Sequence, residues 1–169
     1  MINLRKKFKN FGPLELLVFV SVFYAVSMLI WTATTRNAVL EKANSIKSNH
    51  MSVVKLLNNE VNKCSQDLQK LTSWGENCNS TWTSPAIVGY ILNNIKLKNP
   101  YSISKPLIQS SADPRIDAEG KAGQSTNKGV IFVSLNDFNA EAGSEWIVGT
   151  CVKSPCVAAG NNELVSIYR

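Results

Sequence analysis

The chain has 169 residues, of which 44% are hydrophobic and 18% charged, and a net charge of +6. This length suits about one domain and argues against a multidomain enzyme, while the composition excludes a chain that is disordered throughout. Four of the basic side chains lie in the first ten residues. The rest of the chain carries 14 basic and 12 acidic residues without a cluster of cations and aromatic rings, so nucleic-acid binding is not indicated.

An apolar run follows the basic residues. Leu16 to Thr35 are twenty residues without a charge. A helix of that length spans the hydrocarbon core of a bilayer, which is about 30 Å thick, so the run predicts a transmembrane helix. Four positive charges precede it and only Arg36 follows directly, which places the N-terminus in the cytoplasm and the remaining 134 residues outside. A cleaved secretory signal peptide is the alternative, although its apolar region is usually only about 7 to 15 residues long.

A long helix is predicted from about Leu14 to Leu71, because no Gly or Pro occurs between Pro13 and Gly75. Beyond the apolar run, apolar or small residues recur at steps of three and four. This periodicity predicts that one face of the helix packs against a folded domain, with the lysines and Glu60 on the other faces. The stripe comprises Val39, Ala43, Ile46, His50, Val53, Val54, Leu57, Val61 and Cys64.

The second half of the chain predicts a short helix and three strands. Ser84 is the expected N-cap, and Pro85 the first position, of a helix that ends near Leu97. Residues 102–128 are rich in polar residues, Pro and Gly and predict an irregular surface connection. Residues 129–135, 145–152 and 163–169 predict three strands of an antiparallel meander. The expected fold class is α+β, with the long N-terminal helix packed on a C-terminal antiparallel sheet.

Four cysteines lie in the segment predicted to be outside the cytoplasm, where disulfides are expected. Three pairings are possible. Short local loops favour Cys64 with Cys78 and Cys151 with Cys156. A zinc site is a poor alternative, because the chain has no C-x-x-C motif and a single histidine, His50, on the apolar helix face. No metal or other cofactor is predicted.

Catalytic motifs are absent from the sequence. It contains no G-x-S-x-G, no P-loop, no H-E-x-x-H and no dinucleotide fingerprint, so an enzyme is not expected. Asp137, Glu141 and Glu145 are spaced by four and predict a solvated acidic face rather than a cation site. Asn79-Ser80-Thr81 matches the glycosylation acceptor pattern and indicates surface exposure. Glu15 stands out, because it is an ionisable residue at the start of the apolar run.

The segment from Lys9 to Val18, together with the long helix, the C-terminal sheet and the cysteines, resembles a type IV pilin. In that family a prepilin peptidase removes a short basic leader before an aromatic residue, and the fifth residue of the mature chain is a Glu. The resemblance implies cleavage between Asn10 and Phe11, which makes Glu15 the fifth residue. It divides the chain into a leader (1–10), a transmembrane and assembly helix half (11–35) and an extracytoplasmic head (36–169) that includes the amphipathic helix half.

The resemblance also implies the partners and the location of the protein. Copies of the chain would form a helical filament in which the Glu15 carboxylate meets the N-terminal amine of Phe11 of a neighbour. The other implied partners are the prepilin peptidase, the inner-membrane assembly platform and, before assembly, membrane lipid. The precursor would lie in a bacterial inner membrane and the assembled pilus outside the cell. Asn10 stands where the family carries Gly, Gly12 offers a second cut before Pro13, and the apolar run lacks the helix-breaking Pro common in the family.

Two other functions are compatible with the same residues. One is a pseudopilin of a type II secretion system, which shares the scaffold. The other is a single-pass anchored binding or sensor domain, with the striped helix as a stalk or a coiled-coil seam. Adhesion, motility, DNA uptake and secretion have no separate signature in the head residues, and neither do major and minor subunits.

Overall fold

The computed structural model describes residues 12–95, 97–119, 127–136 and 145–168. The chain divides into two compact units, Met1–Glu41 and Lys42–Arg169. The first contains the beginning of a long helix. The second, called the head below, contains the rest of that helix and all the other elements.

The long helix, α1, extends from Pro13 to Gln66 and has 54 residues. Proline suits the first turn because its missing N–H would have no partner there. The helix ends before the predicted Leu71, since Asp67 forms a turn: its side chain accepts the Gln69 N–H at 3.0 Å and its carbonyl accepts the Lys70 N–H at 3.3 Å. Among the described residues, α1 is the one helix long and apolar enough to cross a membrane.

The head adds two helices and a four-stranded sheet. The second helix, α2, spans Ser84–Asn94 and so ends earlier than predicted, with Thr83 rather than Ser84 at the cap. The strands are β1, β2, β3 and β4, in that spatial order, and α3 lies between β1 and β2 in sequence. Their bounds are Ile108–Ser110 for β1, Pro114–Glu119 for α3, Ile131–Asn136 for β2, Glu145–Cys151 for β3 and Asn162–Tyr168 for β4.

The sheet is mostly antiparallel, and the prediction of a purely antiparallel sheet was wrong at one edge. β2, β3 and β4 form the expected antiparallel meander, but β1 pairs with β2 in parallel, with Ile108 opposite Ile131. The prediction of an irregular connection over 102–128 was also wrong, because that segment contains β1 and α3. β1 has three residues, too few for a visible alternation. α3 starts at Pro114, and the Asp113 carboxylate accepts the Arg115 N–H at 3.0 Å.

One face of the sheet shares a core with α1 and α2. Alternate residues of β2 and β3, such as Val133 and Val148, are opposite each other and fully buried. The predicted stripe of α1 lies in the same core, except Val39, which is 41% exposed. The core members contributed by α1 are Ala43, Ile46, Val53, Val54, Leu57, Val61 and Cys64. Burial of this stripe is the main stabilisation that the helix half contributes to the head.

The opposite face of the sheet is covered by α3. Gly149 of β3 has no room for a side chain, because a Cβ there would lie 2.5 Å from the Pro114 carbonyl oxygen and 3.0 Å from the Ala118 Cβ. Phe132 and Ile147, which point to this face, are almost completely buried. The head is therefore a three-layer arrangement, with helices on both faces of the sheet.

Two carboxylates organise the loop between α1 and α2. Glu60, predicted on an exposed face, is 6% exposed and accepts hydrogen bonds from the Ser73 hydroxyl and from the Ser73 N–H at 3.0 Å. Glu76 accepts the Trp74 indole N–H at 2.9 Å and both the N–H and the hydroxyl of Thr83. The prediction for Glu60 was wrong because the loop that covers it returns from a position 13 residues later in the chain.

Candidate assembly site on the N-terminal helix

The first unit presents an apolar surface. Every described residue from Pro13 to Lys42 is exposed, and between Leu14 and Trp31 this includes fourteen large apolar side chains. A contiguous apolar surface of this size is not stable in water, so it requires lipid or another apolar helix against it. The segment is therefore compatible with membrane anchoring by both its length and its chemistry.

The Ser and Thr hydroxyl groups of the apolar segment are all bonded within the helix itself. Ser21 donates to the Val18 carbonyl at 2.8 Å, and Ser27 donates to the Phe23 carbonyl at 2.8 Å. Thr32, Thr34 and Thr35 donate to carbonyls three or four residues earlier. Because each Ser and Thr hydroxyl has an internal acceptor, these groups can enter a bilayer or a bundle of apolar helices without losing a hydrogen bond.

Glu15 lies in the first turn of α1. Its Oε2 atom accepts the N–H of Gly12 at 3.1 Å, and the Gly12 carbonyl accepts the Leu16 N–H at 3.1 Å. An anion at this end of a helix is favoured by the exposed N–H groups and the macrodipole. A carboxylate has about four acceptor positions, so this single bond leaves capacity for a further donor.

The predicted processing residues, Asn10 and Phe11, lie outside the described residues, which begin at Gly12. Cleavage between them and the role of the Phe11 amine remain predictions. The assembly role of Glu15 also remains a prediction, since the described contact is with its own helix.

Two disulfides are present, Cys64–Cys78 and Cys151–Cys156, with Cα separations of 5.1 and 5.2 Å. They are the pairings that short local loops favour. The first ties the last turns of α1 to the following loop, where the Cys78 N–H donates to the Lys70 carbonyl at 2.9 Å. The second joins the end of β3 to the turn before β4. Both therefore staple the loops of the head.

His50 is buried among apolar residues of the core and is 1% exposed. Neither ring nitrogen has a hydrogen-bond partner among the described residues. Burial lowers the pKa of His50 to about 4, and the nearby Glu163 carboxylate opposes this only partly. Within the described part of the chain, no group of three or more His, Cys, Asp or Glu could hold a metal ion. A neutral imidazole in this position acts as a packing residue.

The predicted acidic face at Asp137, Glu141 and Glu145 is only partly described. Asp137 and Glu141 lie outside the described residues. Glu145, at the start of β3, accepts hydrogen bonds from the Arg115 guanidinium at 3.4 Å and the Tyr168 hydroxyl at 3.3 Å. These contacts give Glu145 a role in joining α3 to the sheet.

Sequence reasoning did not single out the contacts of Tyr101. The Tyr101 hydroxyl donates to the Val152 carbonyl at 2.8 Å, and its N–H donates to the Asn99 side chain at 2.9 Å. Lys128 places its Nζ 4.4 Å from the centre of the ring, and Lys42 places its Nζ 5.9 Å from it. The Asn99-Pro100-Tyr101 turn was the available signal, but its partners come from distant parts of the chain.

Comparison with known proteins gives no relative: no protein family, no curated protein and no solved structure matches this chain.

Proposed function

We propose that this chain is a structural subunit of a type IV pilus, which polymerises through its N-terminal apolar helix. The observation that carries the proposal is the acid in the first turn of a wholly exposed apolar helix segment. The Ser and Thr hydroxyls of that segment are internally bonded. Glu15 is the one acid from Pro13 to Thr35, and its carboxylate needs an external partner in an apolar environment. The two disulfides of the compact head support a location outside the cytoplasm, where disulfides form and persist.

The proposed mechanism depends on the cost of burying a charge. An ionised carboxylate enters an apolar environment only at a high free-energy cost unless an opposite charge and hydrogen-bond donors come with it. Cleavage before Phe11 would create such a cation, the new N-terminal amine. In a bundle of copies, the Glu15 carboxylate of one copy would accept this amine from a neighbour. Only one axial offset between the helices satisfies both groups, so the pair would select the register of the filament.

The membrane would hold the subunits before they assemble into the filament. In lipid, the apolar segment is covered by acyl chains, and in the filament the same surface would be covered by other copies of the segment. Moving from lipid to the filament would leave the same apolar surface buried in both states. The free energy of the charge pair can therefore determine which state is favoured.

Substitution of Glu15 tests the proposal. Glu15→Ala is expected to leave the amount of folded, membrane-inserted protein unchanged and to reduce filament yield at least about tenfold, as for an unpaired buried charge. Glu15→Gln keeps an acceptor for the Gly12 N–H but removes the charge, so it separates pairing from helix capping. Glu41→Ala is the matched control, because Glu41 is an exposed acid of the same helix. Filaments counted by electron microscopy at wild-type yield in Glu15→Ala cells would contradict the assembly role.

A second candidate function is a membrane-anchored binding or sensor domain that stays monomeric. The bond from the Gly12 N–H to Glu15 favours it, because it gives the acid a sufficient role as a helix cap. Mass spectrometry of the native N-terminus separates the two. A chain that begins at N-methylated Phe11 supports the pilin, whereas an intact Met1 supports the anchored domain.

A further inference from the structure

One side chain of the head has no packing role in the fold. Ile103 has a relative exposure of 106%, although an isoleucine ordinarily contributes to stability by burial. It lies on the loop between α2 and β1, at the rim of a cleft of about 440 Å³. The cleft is lined by Leu92, Leu97, Lys98, Asn99, Ser102, Ile103, Lys105, Pro106 and Leu107. An apolar loop residue beside lysines is the combination that binds a bilayer surface.

Further lysines lie beside this loop, held by the Tyr101 ring. The ring carries Lys128 at 4.4 Å and Lys42 at 5.9 Å from its centre. The Asn99 amide donates to the Lys128 carbonyl at 3.5 Å, and the Asn49 amide of α1 donates to the Lys98 carbonyl at 3.5 Å. These bonds bring α1, the loop and the residues before β2 together. We name Lys42, Lys98, Lys128 and Ile103 the basic face.

The three lysines of the basic face have no acidic partner in the part of the chain that the structure describes. Among the residues that the structure describes, no carboxylate oxygen lies within 4.0 Å of their Nζ atoms, whereas Lys47, Lys63 and Lys70 each have one. Two cations beside one aromatic ring, with no counter-ion among the described side chains, attract an anion from outside.

The covalent chain keeps this face close to a membrane surface. Lys42 follows Thr35, the last residue of the apolar run, by seven positions. These residues belong to α1, and seven helical residues rise only about 10 Å. Anionic lipids attract lysines within roughly one Debye length, about 8 to 10 Å, so a lysine tethered at this distance can reach their headgroups.

We propose that the basic face docks on the surface of an anionic bilayer, with the ammonium groups of Lys42, Lys98 and Lys128 on lipid phosphates and Ile103 inserted between the headgroups. The inference requires that the apolar run anchors the chain in a membrane, and it does not require polymerisation. Docking would hold the head against the bilayer until the chain leaves it.

Hydrogen exchange of the full chain in nanodiscs tests the docking. Discs of phosphatidylcholine alone are compared with discs that also contain phosphatidylglycerol, and the amides of residues 97–107 are followed by mass spectrometry. We expect exchange to slow in the anionic discs by about fivefold for each lysine engaged, and added salt to reverse the effect. Equal exchange in the two kinds of disc would overturn the proposal.

Matched variants identify the residues that carry the effect. Lys42→Gln/Lys98→Gln should abolish most of the lipid-dependent protection, whereas Lys55→Gln/Lys70→Gln, with the same change of charge on exposed positions, should retain it. Equal losses in the two double variants would overturn the assignment to this face. Thermal melting of each variant checks that the head is folded, and all four positions are exposed, so folding should be unchanged.

The apolar contact has its own control. Ile103→Ser should weaken the protection in anionic discs, while Leu68→Ser, at a position 59% exposed beyond the end of α1, should not. Duplex DNA added to neutral discs tests the other polyanion that lysines attract. Protection of residues 97–107 by DNA, without protection by anionic lipid, would replace the proposed partner.

Discussion

The two halves of α1 have the same secondary structure in different surroundings. From Pro13 to Lys42 every residue is exposed, whereas from Ala43 to Cys64 nine side chains are buried in the head. The first half is apolar all round from Leu16 to Thr35, and the second half is striped. The difference indicates that the two halves need different surroundings: an apolar environment such as lipid for the first half, and its own domain for the second.

Polar groups follow the same division. Hydroxyls of the first half bond to carbonyls of their own helix, as in Ser27 and Phe23. In the second half, Ser52 and Ser65 also bond to carbonyls of the helix. Other polar groups of this half reach different segments: Glu60 accepts from Ser73, and Lys47 forms an ion pair with Glu163 of β4 at 2.7 Å. A substitution in the first half should therefore affect partners outside the chain, and one in the second half should affect the stability of the head.

The largest contrast is expected from one substitution made in both halves. Ile46→Ala removes a side chain that is completely buried, so the head should lose about 2 to 5 kcal/mol of its free energy of unfolding. Ile30→Ala removes one that is 59% exposed and should change that free energy by less than about 0.5 kcal/mol. Chemical denaturation in detergent, followed by the fluorescence of the buried tryptophans, measures both. Equal losses would show that the two halves do not differ in this way.

Acid should destabilise the head through His50. Its pKa falls from 6.5 to about 4 on folding, so the unfolded chain binds more protons between these values. The stability that depends on a neutral His50 is fully present above about pH 6.5 and is lost as the pH falls toward 4. The loss lowers the free energy of unfolding by about 3 kcal/mol. Denaturation midpoints measured from pH 7 to pH 4 should follow this loss. In His50→Leu, which cannot titrate, the decline over the same range should be smaller; an unchanged decline would assign it to other groups.

A smaller loss is expected at Gly129, before β2. Its φ of +80° is unfavourable for residues with a Cβ, and a Cβ would collide with the Asn99 side chain and lie 2.9 Å from the Tyr101 ring. Gly129→Ala should therefore cost about 2 kcal/mol. Gly160→Ala, with φ +78° but nothing within 4 Å, should cost only the conformational part, about 1 kcal/mol. The difference between the melting temperatures of the two variants gives the contribution of close packing against Asn99 and Tyr101, and identical melting temperatures would exclude it.

Some of the fold could be predicted because its signals are local. The apolar run, the stripe from Ala43 to Cys64 and the strands β2, β3 and β4 each show a period in the sequence that matches their secondary structure. The parallel pairing of β1 could not be predicted, because a three-residue strand has no period and its partner is 23 residues away, Ile108 opposite Ile131. The covering of the second sheet face by α3 was missed for the same reason.

The candidate site divides in the same way. The exposed apolar segment and Glu15 at its start follow from composition alone, since a run without charges and a single acid need no neighbours to be recognised. The basic face depends on Tyr101, whose ring and hydroxyl contact Lys42, Lys128 and Val152 from three separate segments. No spacing in the sequence encodes these distances.

The sequence by itself determined that the chain has a segment suited to a membrane, an amphipathic helix beyond it and cysteines spaced for local disulfides, because charge and periodicity are properties of neighbouring residues. Only the tertiary structure decided that Glu60 is buried, that the His50 ring finds no hydrogen-bond partner among the described residues, and that distant lysines meet beside one tyrosine. These features arise when segments far apart in the chain pack together, and packing selects positions that sequence spacing does not specify.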